Sequence, residues 1–256
     1  MSQPMNSGPR EWDAETYDRV ADPQFEWGME VLGRLELSGE EAAVDAGCGS
    51  GRVTAELLER LPRGSVLAVD GSAAMVEKAH ERLGDRVSYL VADLAELELA
   101  EPVDLVFSTA TFHWIPDHDR LFARLRAALR PGGRLVAQCG GAGNVARHAE
   151  AIASVGARPE FAPHFAQAEG IWNFAGPEET IERLERARFS DVRCWLQPKP
   201  VQPADPLAFT STVTLGPLLA QLPEEQRRPF AEAVLAASEQ PLVLDYVRLN
   251  IEAVAA

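Results

Sequence analysis

Residues Ala42 to Val53 read A-A-V-D-A-G-C-G-S-G-R-V. Ala42, Ala43 and Val44 form a short apolar run of the kind a buried parallel strand shows, and Asp45 closes it. Gly47, Gly49 and Gly51 then let the backbone turn tightly and approach a ligand closely. From Arg52 the apolar positions Val53, Leu57, Leu58 and Leu61 recur at helical spacing, which places the glycines between a strand's carboxyl end and a helix's amino end. In open α/β sheets that is the crevice where nucleotide-like ligands bind.

The same rhythm continues downstream. S-V-L-A-V-D reads as a second buried strand ending in Asp70, with Gly71 and Ser72 leading into a helix from Ala73 to Leu83. Asp70 follows Gly51 by about 20 residues, the lag at which an acid on the second strand reaches ribose hydroxyls in dinucleotide-type sites; the alternative is a helix cap shared with Ser72. V-S-Y-L-V-A-D ends in Asp93, either an acceptor for an exocyclic amine or an exposed strand-end acid, and V-D-L-V-F-S-T ends at Thr109. Short apolar strands separated by helices are the pattern of a parallel sheet.

A second cluster sits after the fourth strand, where Ser108, Thr109, Phe112, His113 and Trp114 precede a helix opened by Pro116 and Asp117. Pro131, Gly132 and Gly133 stop that helix, and R-L-V-A-Q-C-G forms a fifth strand that leaves Gln138 and a glycine run at its end. A helix is expected from Asn144 to Gly156. The aromatic stretch 159 to 175, which contains Trp172, is either a substrate-side wall or packed-down surface. Pro177 opens another helix, D-V-R-C-W-L is a sixth strand, and helices follow at about 206 to 221 and 223 to 238. The last strand, L-V-L-D-Y-V-R-L-N-I, suits an edge or hairpin position. Before the first strand, a helix is expected from about Gln24 to Leu37, and Trp12, Tyr17 and Trp27 either cap the crevice or pack helices.

Composition bounds the function. A net charge of −15 argues against binding nucleic acid through its phosphates. Three widely spaced cysteines suggest neither a disulfide framework nor a zinc site, and the five histidines lack ligand spacing, so no metal is implied. No apolar run is long enough to cross a membrane and no signal core opens the chain, so a cytoplasmic location is expected. The length suits one α/β domain with a small lid. Residues 1 to 38 are expected as a tail with cap helices, and 39 to 256 as the main domain with a helical lid at about 203 to 240.

D-A-G-C-G-S-G at 45 to 51, V-D-G-S at 69 to 72, A-D-L at 92 to 94, S-T-A-T-F-H-W at 108 to 114 and L-R-P-G-G-R-L at 129 to 135 resemble the class I S-adenosylmethionine-dependent methyltransferases. Among these the chain is similar to the trans-aconitate methyltransferase group of small-molecule carboxyl methyltransferases. The resemblance implies a Rossmann-like three-layer α/β sandwich whose seven-stranded sheet is mostly parallel, with the last strand antiparallel and a helical lid. It implies S-adenosylmethionine as cofactor, with Gly47, Gly49 and Gly51 under its methionine part, Cys48 in the same turn, and Asp45 near the amino group. Asp70 would hold the ribose, with Gly71, Ser72 and Met75 near the adenosine. Asp93 and Leu94 would bracket the adenine, and Ser108 would border the sulfonium.

An acidic protein with carboxylates at strand tips suits a cation that carries no phosphate. The expected reaction is methyl transfer to a small-molecule acceptor as O-methylation, with carboxylates among the acceptors; an ionised carboxylate needs no general base, whereas a phenol, hydroxyl or protonated amine does. The alternatives are O- or N-methylation of a hydrophobic natural product, a non-catalytic S-adenosylmethionine binder, and a dehydrogenase. His113 is the candidate catalytic residue, either binding the acceptor or acting as base, or else bracing its loop. Tyr17, Trp114, Gln138 and Trp172 are the acceptor-side candidates. Arg147 either pairs with an acceptor carboxylate or is surface charge. The acceptor's identity and the oligomeric state carry no signature.

Overall fold

A computed structural model of the chain describes residues 22–165 and 172–256. Trp12 and Tyr17 lie outside the described residues. Seven strands form one sheet: β1 (Ala42–Ala46), β2 (Ser65–Asp70), β3 (Ser88–Val91), β4 (Val103–Thr109), β5 (Leu129–Gly140), β6 (Phe189–Pro198) and β7 (Val247–Ala255). Their order is β3-β2-β1-β4-β5-β7-β6. β1 to β5 are mutually parallel, and β7 runs antiparallel to both β5 and β6.

Apolar side chains leave both faces of the central strands, so both faces need cover. Ala43, Ala68, Leu105 and Phe107 point to one side, where α1 (Asp22–Leu32), α2 (Arg52–Glu59) and α3 (Ala73–Leu83) deliver Val31, Leu32, Leu57 and Leu83. Val44, Val106 and Leu135 point to the other, against Leu121, Phe122 and Leu125 of α4 (His118–Ala128). This is the three-layer α/β arrangement that the strand–helix alternation predicts. A separate small core joins α5 (Ala146–Gly156) to the segment 206–219 and to the helix that follows it, while α6 (Pro177–Arg186) adds Leu184 to the α4 side. The centre of that small core is Phe230 of α7 (Glu224–Ala237), whose ring meets Phe161 edge-on at 5.0 Å.

Four expectations change. The last strand is not an edge strand: β7 lies between β5 and β6, and β6 forms the edge. Its alternation arises because Leu249, Ile251 and Ala253 enter one core while Arg248 and Asn250 are buried on the opposite face. The first helix ends at Leu32 rather than Leu37, because Gly33 follows and the backbone tightens into turns from Arg34 to Val31 and from Leu35 to Leu32. The helix expected from Asn144 starts at Ala146, since Val145 holds a left-handed backbone at φ +46°, while Asn144 Oδ1 accepts from the Val247 amide at 2.8 Å. The helix expected at 206 to 221 is interrupted by a π turn at Thr210–Thr214, closed by Leu215 N–H donating to the Thr210 carbonyl at 2.8 Å. Pro217 lacks the amide that would continue the ladder, and π turns of this kind cluster at functional sites.

Phe230 is fully buried, so Phe230→Ala is expected to lower stability by roughly 3–5 kcal/mol, read from denaturant unfolding. A loss under about 1 kcal/mol would show that the helical segment does not depend on this core.

Candidate active site

Three glycines leave the turn after β1 with few side chains to hold its shape, and its neighbours supply most of the restraint. Gly47 and Cys48 amides donate to the Val69 carbonyl at 2.7 and 3.0 Å. The Gly49 amide donates to Asp70 Oδ2 at 2.9 Å, and the Ser72 amide donates to Asp70 Oδ1 at 2.9 Å. Gly47 adopts φ +88°, and a Cβ there would come within 2.0 Å of Thr111 Oγ1, so only glycine fits. Gly49 differs: at φ +53° its absent Cβ would meet nothing within 4 Å.

A cavity of about 370 Å³ opens at the carboxyl edge of the parallel strands. Strand order divides it. On the β1, β2 and β3 side the wall is Gly47, Gly49, Asp70, Gly71, Met75, Asp93 and Leu94. Beyond β4 the wall is aromatic and basic, with His113, Trp114, Trp172, Phe174, Tyr246 and Arg248. The π turn contributes Val213 and Thr214 from the helical segment.

Not every predicted residue reaches this wall. Asp45 lies buried behind the turn, accepting from Thr54 Oγ1 at 2.7 Å. Cys48 is packed in the core beneath the turn, and Gly51 starts α2 at φ +80°. Ser72 caps α3 by accepting from the Met75 amide at 3.3 Å. Ser108 is buried, its hydroxyl donating to the Ala46 carbonyl at 2.6 Å. Gln138 turns away, donating to Asn250 Oδ1 at 2.8 Å between β5 and β7. Asp93 reaches the cavity and also caps the turn Leu94–Glu96 through the Ala95 amide at 2.9 Å. Arg147 lies away from this wall, paired with Glu239 at 2.9 Å.

His113 sits where the two halves meet. The Gly140 amide donates to its Nδ1 at 3.2 Å, so Nδ1 carries the lone pair and Nε2 carries the hydrogen. Burial, with help from the Arg248 charge and from His118, holds its pKa well below the ordinary imidazole value. Its ring stacks on Phe174 at 5.8 Å, and Phe174 in turn stacks on Trp172 at 5.3 Å.

Arg248, Asn144 and Tyr246 are wall residues that the sequence reading does not single out, whereas Phe174 belongs to the aromatic stretch it does. Arg248 is opposite Gly140 in the β5–β7 register, at the amino end of an antiparallel strand. A reading that searches the carboxyl ends of parallel strands passes over it; the available signal was an arginine inside an otherwise apolar last strand.

Residues 43–133 match the family model of a methyltransferase domain. Among curated relatives, trans-aconitate 2-methyltransferase of Azoarcus sp. (strain BH72) is 41% identical over 127 residues, covering 50% of this chain and 50% of the relative. The enzyme of the same name from Methylobacterium nodulans is 33% identical over 186 residues, covering 73% of this chain and 67% of the relative. The chain thus spans about half the length of the first of these and two thirds of the second. Haemonchus contortus phosphoethanolamine N-methyltransferase 2, solved with S-adenosyl-L-methionine, superposes with a TM-score of 0.61 at 20% identity, over 94% of this chain and 56% of that one. The YcgJ protein from Bacillus subtilis gives 0.60 at 14% identity, over 89% and 96%. At these identities the structural likeness is one of fold.

The chain belongs to the class I S-adenosylmethionine-dependent methyltransferases, near the trans-aconitate 2-methyltransferase group, and S-adenosylmethionine is its cofactor.

Burial pushes the Asp45 carboxyl up to about 7, opposed by the Thr54 hydroxyl and aided by the Asp70 charge. A folded pKa above the unfolded one contributes stability that is full below the ordinary carboxylate range and is lost as pH rises through about 7. Asp45→Asn removes that loss. Its stability gain in the cofactor-free protein is expected to grow from about pH 4 to about pH 7 and then level, at no more than about 4 kcal/mol. Denaturant unfolding across pH measures it, and a gain independent of pH would contradict the assignment.

Proposed function

We propose that the chain methylates a carboxylate oxygen of a small-molecule acceptor, with trans-aconitate, named for its relatives, as the first candidate. The cofactor supplies an electrophilic methyl on a sulfonium: the acceptor oxygen bonds to the methyl carbon as the carbon–sulfur bond breaks, leaving a methyl ester and S-adenosylhomocysteine. No proton is transferred.

The glycine-turn side of the cavity suits the donor. Gly47 and Gly49 would leave room for its methionine part, Asp70 would hold the ribose hydroxyls, Met75 and Leu94 would flank the adenine, and Asp93 would accept from its amine; all six line the cavity. Carboxylates near a cationic ligand are electrostatically favourable, and Arg120, the basic residue beside Ala95 and Glu96 on that side, is paired with Glu96. Asp45, behind the turn, is drawn toward its ionised form when a cation binds in front of it.

The observation that carries the acceptor chemistry is the state of His113, the one imidazole on the cavity wall among the described residues. Its Nδ1 accepts from Gly140 N–H and its Nε2 is already protonated, so it donates a hydrogen bond and does not remove a proton. A phenol, an alcohol or an ammonium needs a base; a carboxylate, ionised at pH 7, does not. Catalysis then rests on aligning oxygen, methyl and sulfur, worth roughly 7–11 kcal/mol, and on excluding water. Trp114, Trp172 and Phe174 form the apolar wall that does the latter, and the segment carrying Val213 and Thr214 acts as the lid.

Incubation with labelled S-adenosylmethionine and trans-aconitate is expected to give a methyl ester, with kcat flat between about pH 6 and 8 at saturating substrates. Methylation of phenols or amines only, or a rising limb near neutral pH that disappears in His113→Gln, would overturn the reading. For the donor site, Gly49→Ala is expected to leave a folded protein, at a cost of about 1–2 kcal/mol for a side chain at φ +53°, whose S-adenosylmethionine affinity falls roughly 10-fold or more, because the new methyl enters the cradle. Gly47→Ala, forced against Thr111, is expected to lower the unfolding temperature instead. Calorimetric titration and thermal unfolding separate the two effects.

A further inference from the structure

The acceptor side of the cavity presents hydrogen-bond donors from three strand ends. Arg248 lies on the wall and is only 2% exposed, in a protein of net charge −15. A guanidinium has five N–H donors and no acceptor. Its Cζ lies 4.7 Å from the Trp27 ring centroid, and Trp27 is braced edge-on by Tyr246 at 5.1 Å. That stacking orients the planar fork, which matches a carboxylate in two-point contact.

Two neutral groups share this wall. Asn144 Oδ1 accepts from the Val247 amide at 2.8 Å, and since an amide nitrogen cannot accept, the Asn144 side-chain nitrogen is the donor that remains. His113 is the second, with Nδ1 engaged by Gly140 N–H and Nε2 carrying its hydrogen. Register ties these together: Gly140, which holds His113, is paired opposite Arg248, and Val247, which holds Asn144, precedes Arg248 in the chain. The Arg248 charge also helps keep His113 neutral, so its field reaches the imidazole.

A carboxylate undergoing methylation loses its charge in the reaction, so an anchoring cation is better placed on a carboxylate that keeps its charge throughout. We propose that Arg248, with Asn144 and His113 as neutral donors, binds a second, non-reacting carboxylate of the acceptor and so selects polycarboxylates over monocarboxylates. The proposal rests on the acceptor reading above, but it concerns binding and is tested without turnover.

The test is calorimetric titration of trans-aconitate and of crotonate, a monocarboxylate, into the full chain saturated with S-adenosylhomocysteine. Wild type is expected to bind trans-aconitate at least about 10-fold more tightly than crotonate, and Arg248→Met to lose roughly 30-fold or more in trans-aconitate affinity. Arg248→Lys, which keeps the charge but not the fork, is expected to fall between them. S-adenosylhomocysteine affinity is expected to stay within about 3-fold of wild type in both variants. Equal trans-aconitate affinity in wild type and Arg248→Met overturns the proposal, as does a larger loss for S-adenosylhomocysteine than for trans-aconitate, which would assign Arg248 to the cofactor. If neither variant folds, the wild-type comparison decides, and equal binding of the two acids refutes the selection. Tight trans-aconitate binding without ester formation would sink the methylation reading while leaving this one standing.

Discussion

The ligand edge of the sheet depends on one carboxylate. Asp70 receives the Gly49 amide on one oxygen and the Ser72 amide on the other, so the first and second strand–helix turns are joined through a single side chain. Hydrogen bonds to a charged acceptor are about twice as strong as neutral ones. The glycine turn needs that support, because Gly47, Gly49 and Gly51 all hold positive φ and offer no side chain of their own to fix it. The Val69 carbonyl, accepting from Gly47 and Cys48, adds a second tie to the same strand. The turn's shape is therefore a property of β2 as much as of β1.

From this joint the cavity runs along the strand ends and changes character. Near β1 to β3 it offers carboxylates and bare backbone, with Arg120 paired to Glu96; beyond β4 it offers aromatic rings, donors and Arg248. The two halves suit ligands of opposite charge, a cation on the acidic side and an anion on the other. Their separation follows from strand order, since β1 and β4 are neighbours and mark where the chain reverses the direction in which it adds strands. A wall that is acidic throughout would repel a carboxylate, and one that is basic throughout would repel a sulfonium.

Much of the acidic half was legible in the chain itself. Apolar runs ending in Asp70 and Asp93, and glycines with an acid about 20 residues on, mark strand tips because buried parallel strands have a distinctive composition. What composition does not reveal is which way a strand-end side chain turns. Ser108 and Ser72 stand at the expected positions, yet one hydroxyl donates to Ala46 and the other caps α3, so neither reaches the wall. Gln138 is likewise taken up by Asn250, a partner 112 residues away in the chain. The placement of β7 was hidden for a related reason: its alternation of polar and apolar residues is the pattern of a half-exposed edge, and only the long-range pairing with β5 and β6 shows that its polar face is buried as well.

That buried polar face explains why the half of the cavity beyond β4 is built as it is. An antiparallel strand inserted among parallel ones begins where they end, so the first residues of β7 arrive at the cavity while the ends of β4 and β5 arrive from the opposite direction. Arg248 is brought in by this reversal. The cluster that positions it also seats the helical segment, because Trp27 and Tyr246 pack with Phe209, Val213, Leu242 and Leu244. Val213 is at once part of that cluster and part of the cavity wall. The orientation of the arginine and the seating of the helical segment are thus set by the same side chains, and a change that loosens one is felt by the other.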